Sequence, residues 1–80
     1  MNEDLICPVC RKFYFDEVDS YDLCPICGWF DDLMQRENSD YTGGCNHRSQ
    51  NEHRKQWQNG TLPEYIYDLI NQNKDRLPLE

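Results

Sequence analysis

Two pairs of cysteines carry the most specific chemistry in the sequence. Cys7 and Cys10 form the first pair and Cys24 and Cys27 the second, and two residues separate the members of each pair. This spacing lets one tight turn direct two sulfur atoms at a single ion. Four thiolates complete a tetrahedral shell, so the sequence predicts one closed, structural metal site. Zinc is the expected ion, and iron is less favoured.

A second group of residues could bind metal as well. Cys45, His47 and His53 offer three soft or borderline ligands, and a zinc ion held by three ligands keeps one position open for catalysis. Against a metal-dependent enzyme, Cys-x-His is an uncommon ligand spacing and the two-histidine signature of zinc proteases is absent from the sequence. We therefore expect no enzyme, with Cys45 as a loop thiol and His53 buried on a helix.

The size of the chain explains why a metal is needed. Eighty residues with 38% hydrophobic content make one small domain, whose apolar core alone is barely stabilising. The acidic start of the chain lacks the basic character of a secretory signal, and no apolar run reaches the length of a membrane span. We expect a cytoplasmic protein without membrane contact, because in a reducing compartment paired cysteines bind metal rather than form disulfides.

The charge distribution indicates the kind of partner. The net charge is −7, and residues 1–40 carry ten acidic against three basic side chains, whereas residues 41–80 carry five of each. Nucleic-acid binding is disfavoured, because phosphates require clustered Lys and Arg. A basic protein partner fits better, since complementary charge speeds and selects encounters. The candidate partner surface consists of Asp16, Glu17, Asp19, Asp22, Asp31 and Asp32.

Local patterns predict a small α+β fold, with a zinc-ribbon-like β-hairpin metal domain followed by two short helices. We call residues 7–10 the first hook and residues 24–27 the second hook. Phe13-Tyr14-Phe15 has the aromatic character of a strand, so a hairpin would bridge the two hooks. Ser49 and Glu52 match a capping box at the start of a helix. The predicted single domain at 1–80 comprises a zinc ribbon at 5–30, a loop at 31–48, helices at 49–58 and 61–73, and a tail at 74–80.

Four short motifs occur in series: Cys7-Pro8-x-Cys10, Cys24-Pro25-x-Cys27-x-Trp29-x-Asp31-Asp32, Asp40-Tyr41-x-Gly43-Gly44-x-Asn46 and Ser49-x-x-Glu52. Together they resemble the bacterial cysteine-rich CPCC family, over roughly residues 6–57. Val9 stands where that family usually has a middle cysteine, which leaves the four-thiolate set intact. The resemblance implies a small zinc-ribbon-like domain and supplies a fold more than an activity.

Several functions are compatible with these features. The favoured one is an acidic protein–protein interaction module, such as an immunity protein or an inhibitor of a nucleic-acid-acting enzyme. The alternatives are a rubredoxin-like iron electron-transfer protein, a small metal-dependent enzyme that uses Cys45, His47 and His53, and, least favoured, a nucleic-acid-binding domain. The sequence leaves the oligomeric state open.

Overall fold

The computed structural model describes residues 5–76, and its regular structure is helical. Three α-helices follow the cysteine hooks: α1 at Leu33–Glu37, α2 at Gln50–Asn59 and α3 at Glu64–Gln72. A 3₁₀ turn at Lys74–Arg76 ends the described part of the chain, so most of the predicted tail lies outside it. None of the helices within residues 5–76 is long and apolar enough to cross a membrane.

The predicted β-hairpin between the hooks is wrong. Within residues 5–76, extended backbone pairs only at two isolated antiparallel bridges, one between Ile6 and Tyr14 and the other between Leu23 and Phe30. Each bridge joins the residue before a hook to a residue after the same hook. Aromatic and aliphatic residues therefore close their own hook instead of pairing with the other one, and no sheet or ribbon forms in this part of the chain.

The segment between the hooks bends too sharply to form a hairpin arm. Asp19 and Tyr21 both adopt positive φ angles, 57° and 58°, which interrupt an extended strand. The backbone N–H of Tyr21 donates to the carbonyl of Asp31, and the N–H of Asp31 donates back to the carbonyl of Asp22, each at 2.9 Å. The segment is thus fixed to the residues after the second hook, not to those after the first.

Each hook folds into a tight turn, and we call these turns the first knuckle (residues 7–10) and the second knuckle (residues 24–27). The backbone N–H of Cys7 donates to the carbonyl of Phe13 at 2.7 Å, and that of Cys24 donates to the carbonyl of Trp29 at 2.8 Å. In both knuckles the first cysteine is therefore tied to the chain that leaves the hook. This closure brings the two thiols of a pair to the same side of the turn, as the spacing predicts.

A residue with positive φ follows each knuckle. Gly28 takes 78° after the second knuckle, and Arg11 takes 56° at the same place after the first. Glycine reaches this conformation without a steric penalty. Gly28 is required for packing too, because a Cβ there would lie 2.5 Å from the Cγ2 atom of Ile66 on α3. The absence of a side chain at Gly28 lets α3 pack directly on the second knuckle.

Helix α2 begins where the sequence predicts. The Ser49 hydroxyl accepts from the backbone N–H of Glu52, and the Glu52 carboxylate accepts from the N–H of Ser49, so the predicted capping box is confirmed. Gly60 ends the helix in the left-handed conformation, with φ of 71°. The helix extends to Asn59, close to the predicted end at residue 58.

Helix α3 is shorter than its predicted range of 61–73. Pro63 stands at its N-cap, and the helix ends at Gln72. Leu62 and Ile66 are buried, whereas Tyr65 is 46% exposed. The apolar stripe of this helix therefore covers the second knuckle with one face and leaves part of its surface in solvent.

Helix α1 lies inside the segment predicted to be a loop. Asp32 is its N-cap, and one carboxylate oxygen accepts from the backbone N–H of Gln35 at 3.2 Å. The Gln35 side chain is buried and uses its full hydrogen-bonding capacity. Its nitrogen donates to the carbonyls of Tyr41 and Arg48, and its oxygen accepts from the backbone and side-chain nitrogens of Asn46. The rest of the predicted loop is thereby held in one conformation.

Candidate metal centre

The two knuckles place four sulfur atoms close together. The Sγ atoms of Cys7, Cys10, Cys24 and Cys27 all lie within 4.8 Å of one another. The sulfurs of Cys7 and Cys27 are 3.5 Å apart, and those of Cys10 and Cys24 are 3.7 Å apart. All four residues are buried, with Cys10 the most exposed at 8%. Each of the two short distances joins one knuckle to the other, so the cluster depends on both.

This arrangement fits one tetrahedral metal ion. Metal–sulfur bonds of about 2.3 Å in a tetrahedral site place the sulfurs about 3.8 Å apart, close to the observed separations. The same separations are too long for disulfides, whose sulfurs lie about 2.05 Å apart, and the cysteines are free. Four protein ligands complete the shell, so the cysteines are positioned to bind a metal ion with no vacant position for substrate.

The shifted pKa values of the hook cysteines favour a bound cation. Hydrogen bonding to the neighbouring thiols, together with burial, raises the pKa values of Cys7 and Cys27 far above the ordinary value. Hydrogen bonds from the neighbouring thiols lower the pKa of Cys10 far below it. The four groups thus compete for protons when they have only one another as partners. A divalent ion removes this competition, because metal-bound thiols are deprotonated.

Two consecutive residues of α2 hold the two knuckles in place. The Nε2 atom of His53 lies 2.7 Å from the carbonyl oxygen of Cys27 in the second knuckle. The Nη2 atom of Arg54 donates to the carbonyl oxygen of Pro8 in the first knuckle at 2.6 Å. One helix therefore fixes a carbonyl group in each knuckle, and so sets the distance between the two pairs of sulfurs.

The partners of His53 define its tautomer. A guanidinium can only donate, and Nη1 of Arg48 lies 3.2 Å from Nδ1 of the ring, so Nδ1 accepts. The carbonyl of Cys27 can only accept, so Nε2 carries the proton. Burial lowers the pKa of His53 to about 4, which keeps the ring neutral near pH 7. His53 is thus buried on a helix, as predicted, and neither ring nitrogen is available to a metal.

Trp29 belongs to the same buried cluster. Its side chain has no exposure to solvent, and its ring meets that of His53 edge to face, with centroids 5.2 Å apart. Trp29 therefore lies in the core beside the cysteines, where it shields the sulfurs from water, and it is not an exposed anchor for a partner. Excluding water in this way slows metal loss and oxidation of the thiols.

The second candidate ligand group is not assembled. Within residues 5–76, the structure brings together one group of three or more potential metal-binding side chains. This group consists of the four hook cysteines. Cys45 and His47 are exposed, and His53 is committed to the partners described above. Partial desolvation and the nearby Asp32 carboxylate raise the pKa of the exposed Cys45 thiol, which disfavours the thiolate form that a metal ligand or nucleophile requires.

Two of the six residues assigned to the acidic partner surface are internal. Asp31 is 1% exposed and Asp32 is 6% exposed, so their inclusion in that surface is wrong. Asp31 pairs with Arg36 at 3.2 Å and also accepts from the backbone N–H and the hydroxyl of Ser20. Asp32 accepts from the backbone N–H of Cys45 at 2.9 Å. These donors replace water around the carboxylates, which is what makes their burial possible.

The remaining acidic residues are accessible to different degrees. Asp16 and Glu17 are exposed, whereas Asp19 and Asp22 are half-buried. One carboxylate oxygen of Asp19 accepts from the backbone N–H of Leu33 at 2.9 Å, and so ties this segment to α1. The predicted surface is therefore reduced to four carboxylates within residues 16–22.

We expect the metal to determine whether the protein folds. Replacing any one of the four hook cysteines by serine, or removing the ion with a chelator, should unfold the domain, because structural zinc contributes an apparent ~10–16 kcal/mol in small proteins. Circular dichroism with metal analysis measures both effects. The matched control is Cys45→Ser, which should retain the fold and the metal. A metal-free quadruple serine variant with a native spectrum would contradict this prediction.

His53 should control how fast the ion is lost. His53→Leu removes the donor to the carbonyl of Cys27, and loss of such supporting hydrogen bonds weakens metal binding by about 10–100-fold. The rate of metal transfer to a coloured chelator measures the change. His53→Gln should recover part of the loss, because its amide nitrogen can donate to the same carbonyl. His47→Leu, at an exposed site, is the control. Equal release rates for His53→Leu and the unmodified protein would refute the role of His53.

Comparison with known proteins agrees with this arrangement. No protein with a curated description matches the chain significantly. The profile of a family described as Cysteine-rich CPCC matches residues 5–74, a range that includes both knuckles, the three helices and the segments between them. The match therefore extends beyond the four cysteines to the residues that hold them in place, and the chain belongs to the cysteine-rich CPCC family.

Proposed function

We propose that the protein is a zinc-stabilised interaction domain whose acidic surface binds a basic protein. The metal centre supports a structural role, because four protein ligands leave the ion no position for substrate. Activity would then reside on the surface that the metal holds in shape. We define the acidic surface as Asp16, Glu17, Asp19 and Asp22.

The observation that carries this proposal is an exposed tyrosine among the four carboxylates. Tyr21 is 55% exposed, and its hydroxyl donates to a carboxylate oxygen of Asp19 at 3.4 Å. Tyrosine is enriched among the residues that dominate binding energy at protein interfaces, since it offers a large apolar ring and a polar tip. The positive φ of Tyr21 holds this ring in a bend of the chain.

The arrangement favours a partner rich in lysine and arginine. The surface carries four carboxylates, and a divalent ion bound by four thiolates adds about two further negative charges nearby. A nucleic-acid-acting enzyme presents this kind of basic surface to its substrate. An immunity protein or an inhibitor that occupies such a surface, in the cytoplasm where thiolate sites persist, is the specific role that we infer.

We propose zinc as the resident ion. Zinc is the usual ion of closed four-cysteine structural sites, whereas iron in the same ligand set serves electron transfer. Metal analysis should find one zinc per chain in a colourless protein. A red protein that contains iron, with a reversible reduction potential, would instead favour the rubredoxin-like alternative.

Neutralising the acidic surface should weaken partner binding. We expect the double variant Asp16→Asn with Glu17→Gln to bind a basic partner, captured from the native host at low salt, about tenfold or more weakly, because both charges lie at an exposed interface. Tyr21→Asn tests the anchor, since asparagine tolerates positive φ. Surface plasmon resonance at two salt concentrations measures both.

The control removes the same charge from another surface. Glu64→Gln with Asp68→Asn changes two exposed carboxylates on α3 and should leave partner binding within about twofold. Affinity that does not fall as salt is raised, or an equal loss in both double variants, would exclude the acidic surface as the binding site. Failure to capture any basic protein at low salt would contradict the proposal as a whole.

A further inference from the structure

We propose that Arg76 is an internal ligand, which occupies a site where the acidic surface binds an arginine of its partner. The site consists of Phe13, Asp22 and Leu23, and we call it the arginine site. The inference rests on the proposed function, because Asp22 belongs to the acidic surface. It adds the type of residue that this surface recognises and a residue of the chain itself that competes for it.

Three chemically different groups surround the guanidinium of Arg76. Its Nη1 atom donates to the backbone carbonyl of Leu23 at 3.0 Å, and its Nη2 atom lies 3.4 Å from a carboxylate oxygen of Asp22. Its Cζ atom lies 5.8 Å from the centre of the Phe13 ring. A carbonyl, a carboxylate and an aromatic ring are groups that recognise a guanidinium, since it donates hydrogen bonds in its plane and stacks on aromatic faces.

The chain before the second knuckle presents two of these groups independently of Arg76. Hydrogen bonds flank the bridge between Leu23 and Phe30 on both sides, so these two residues form a non-hydrogen-bonded pair. The carbonyl of Leu23 therefore points away from Phe30 and toward the guanidinium of Arg76. The backbone of Asp22 accepts one of the flanking bonds, from the N–H of Asp31 at 2.9 Å. Removing the Arg76 side chain leaves these supports in place.

The aromatic wall of the arginine site is supported in the same way. The carbonyl of Phe13 accepts from the backbone N–H of Cys7 at 2.7 Å, and its ring meets that of Phe15 edge to face, with centroids 5.4 Å apart. Phe15 is buried, whereas Phe13 is half-buried and offers part of its ring to a cation. The site therefore has one wall beside each knuckle, so the metal centre holds it in shape.

The contacts of Arg76 are of a kind that a competing ligand displaces. Its side chain is 33% exposed and that of Asp22 is 48% exposed, so water screens the charge pair. Arg76 lies on a 3₁₀ turn of three residues, whose last N–H donates to the carbonyl of Asn73 at 3.0 Å. So short a turn opens easily, because few hydrogen bonds hold it. A partner arginine that brings further contacts on the acidic surface would replace Arg76.

The geometry of the site favours arginine over lysine. Two different nitrogens of one planar group contact Leu23 and Asp22, while the carbon at the centre of that group lies over the Phe13 ring. A lysine ammonium is a compact point charge and lacks the plane that satisfies the three groups together. The partner that fits this site is therefore a protein with an arginine exposed on its basic surface.

Titration of the metal-loaded Arg76→Ala variant with N-acetyl-arginine methylamide tests the arginine site. The backbone amide resonances of Phe13 and Cys24 should shift and saturate, with a dissociation constant of about 10 mM or lower. The Cys24 amide reports on the site because it shares a peptide unit with the carbonyl of Leu23. The unmodified protein should bind the probe about tenfold more weakly, since Arg76 leaves the site open in only about a tenth of the molecules. The matched control is Lys74→Ala, which removes an exposed cation of the same turn and should bind like the unmodified protein.

Related probes and variants test the chemistry of the site. N-acetyl-citrulline methylamide has the shape of the arginine probe without its charge and should not saturate the site, and the lysine analogue should bind severalfold more weakly. In the Arg76→Ala background, Asp22→Asn and Phe13→Leu should each weaken arginine binding about threefold. Glu64→Gln changes an exposed carboxylate on α3 and should leave the affinity unchanged.

The partner assay separates this inference from the proposed function. Arg76→Ala should tighten binding of the captured basic partner about tenfold, because the site no longer has an internal competitor. A partner that binds Arg76→Ala and the unmodified protein equally would refute the internal ligand and leave the proposed function standing. Saturable arginine binding without any captured basic partner would support the arginine site and contradict the proposed function.

Several results would overturn the arginine site. These are no saturable shift in Arg76→Ala at about 50 mM probe, equal affinity for the arginine and citrulline probes, or equal affinity of Arg76→Ala and the unmodified protein for the arginine probe. If Arg76→Ala fails to fold, the side-chain Nε resonance of Arg76 in the unmodified protein decides the matter. It should move as the probe displaces the side chain, and an unchanged resonance would refute the proposal.

Discussion

The fold depends on holding four sulfur atoms within 4.8 Å of one another in a buried cluster. Four thiolates at such distances repel one another strongly, and burial weakens the screening that water would provide. A bound cation reverses the sign of this interaction and makes the cluster attractive. Because an 80-residue chain buries little other apolar surface, we expect metal binding and folding to form one equilibrium. Helix α2 supports this cluster, because His53 and Arg54 each contact a carbonyl of a different knuckle.

Amide side chains form hydrogen bonds with the backbone that a β-sheet would form in other small domains. Asn46 accepts from the backbone N–H of Phe30 and donates to its carbonyl, both at 2.9 Å, as a neighbouring strand would. Gln35 and Gln50 extend this pattern, since the Gln50 side chain donates to the carbonyls of Gln35 and Arg36 at the end of α1. Buried backbone groups must find partners, and here side chains supply them. This explains how residues 5–76 form a defined structure with no sheet.

The sequence correctly predicts the features that depend on residues a few positions apart. Predictions that depend on contacts between distant residues are wrong. The thiol pairs and the Ser49 cap depend on residues two or three positions apart, so they could be read directly. The hairpin prediction required the extended segment after the first hook to pair with the segment before the second hook. Instead, the residues that flank each knuckle pair with each other. Helix α1 has too few residues for an apolar stripe, although Asp32 and Gln35 have capping-box spacing. Nothing local predicts that Arg54 reaches the knuckle of Pro8.

A closed coordination shell leaves the ion no position for a substrate, and we propose that function resides on the surrounding surfaces. Carboxylates cluster in residues 16–22, whereas Arg11, Arg36 and Arg54 line a cavity beside the first knuckle. Arg54 connects the cavity to the metal centre through the carbonyl of Pro8. The hydrogen bond from Arg54 to Pro8 therefore ties the first knuckle to α2, so the surface around Arg54 is fixed by the same contact that supports the metal centre.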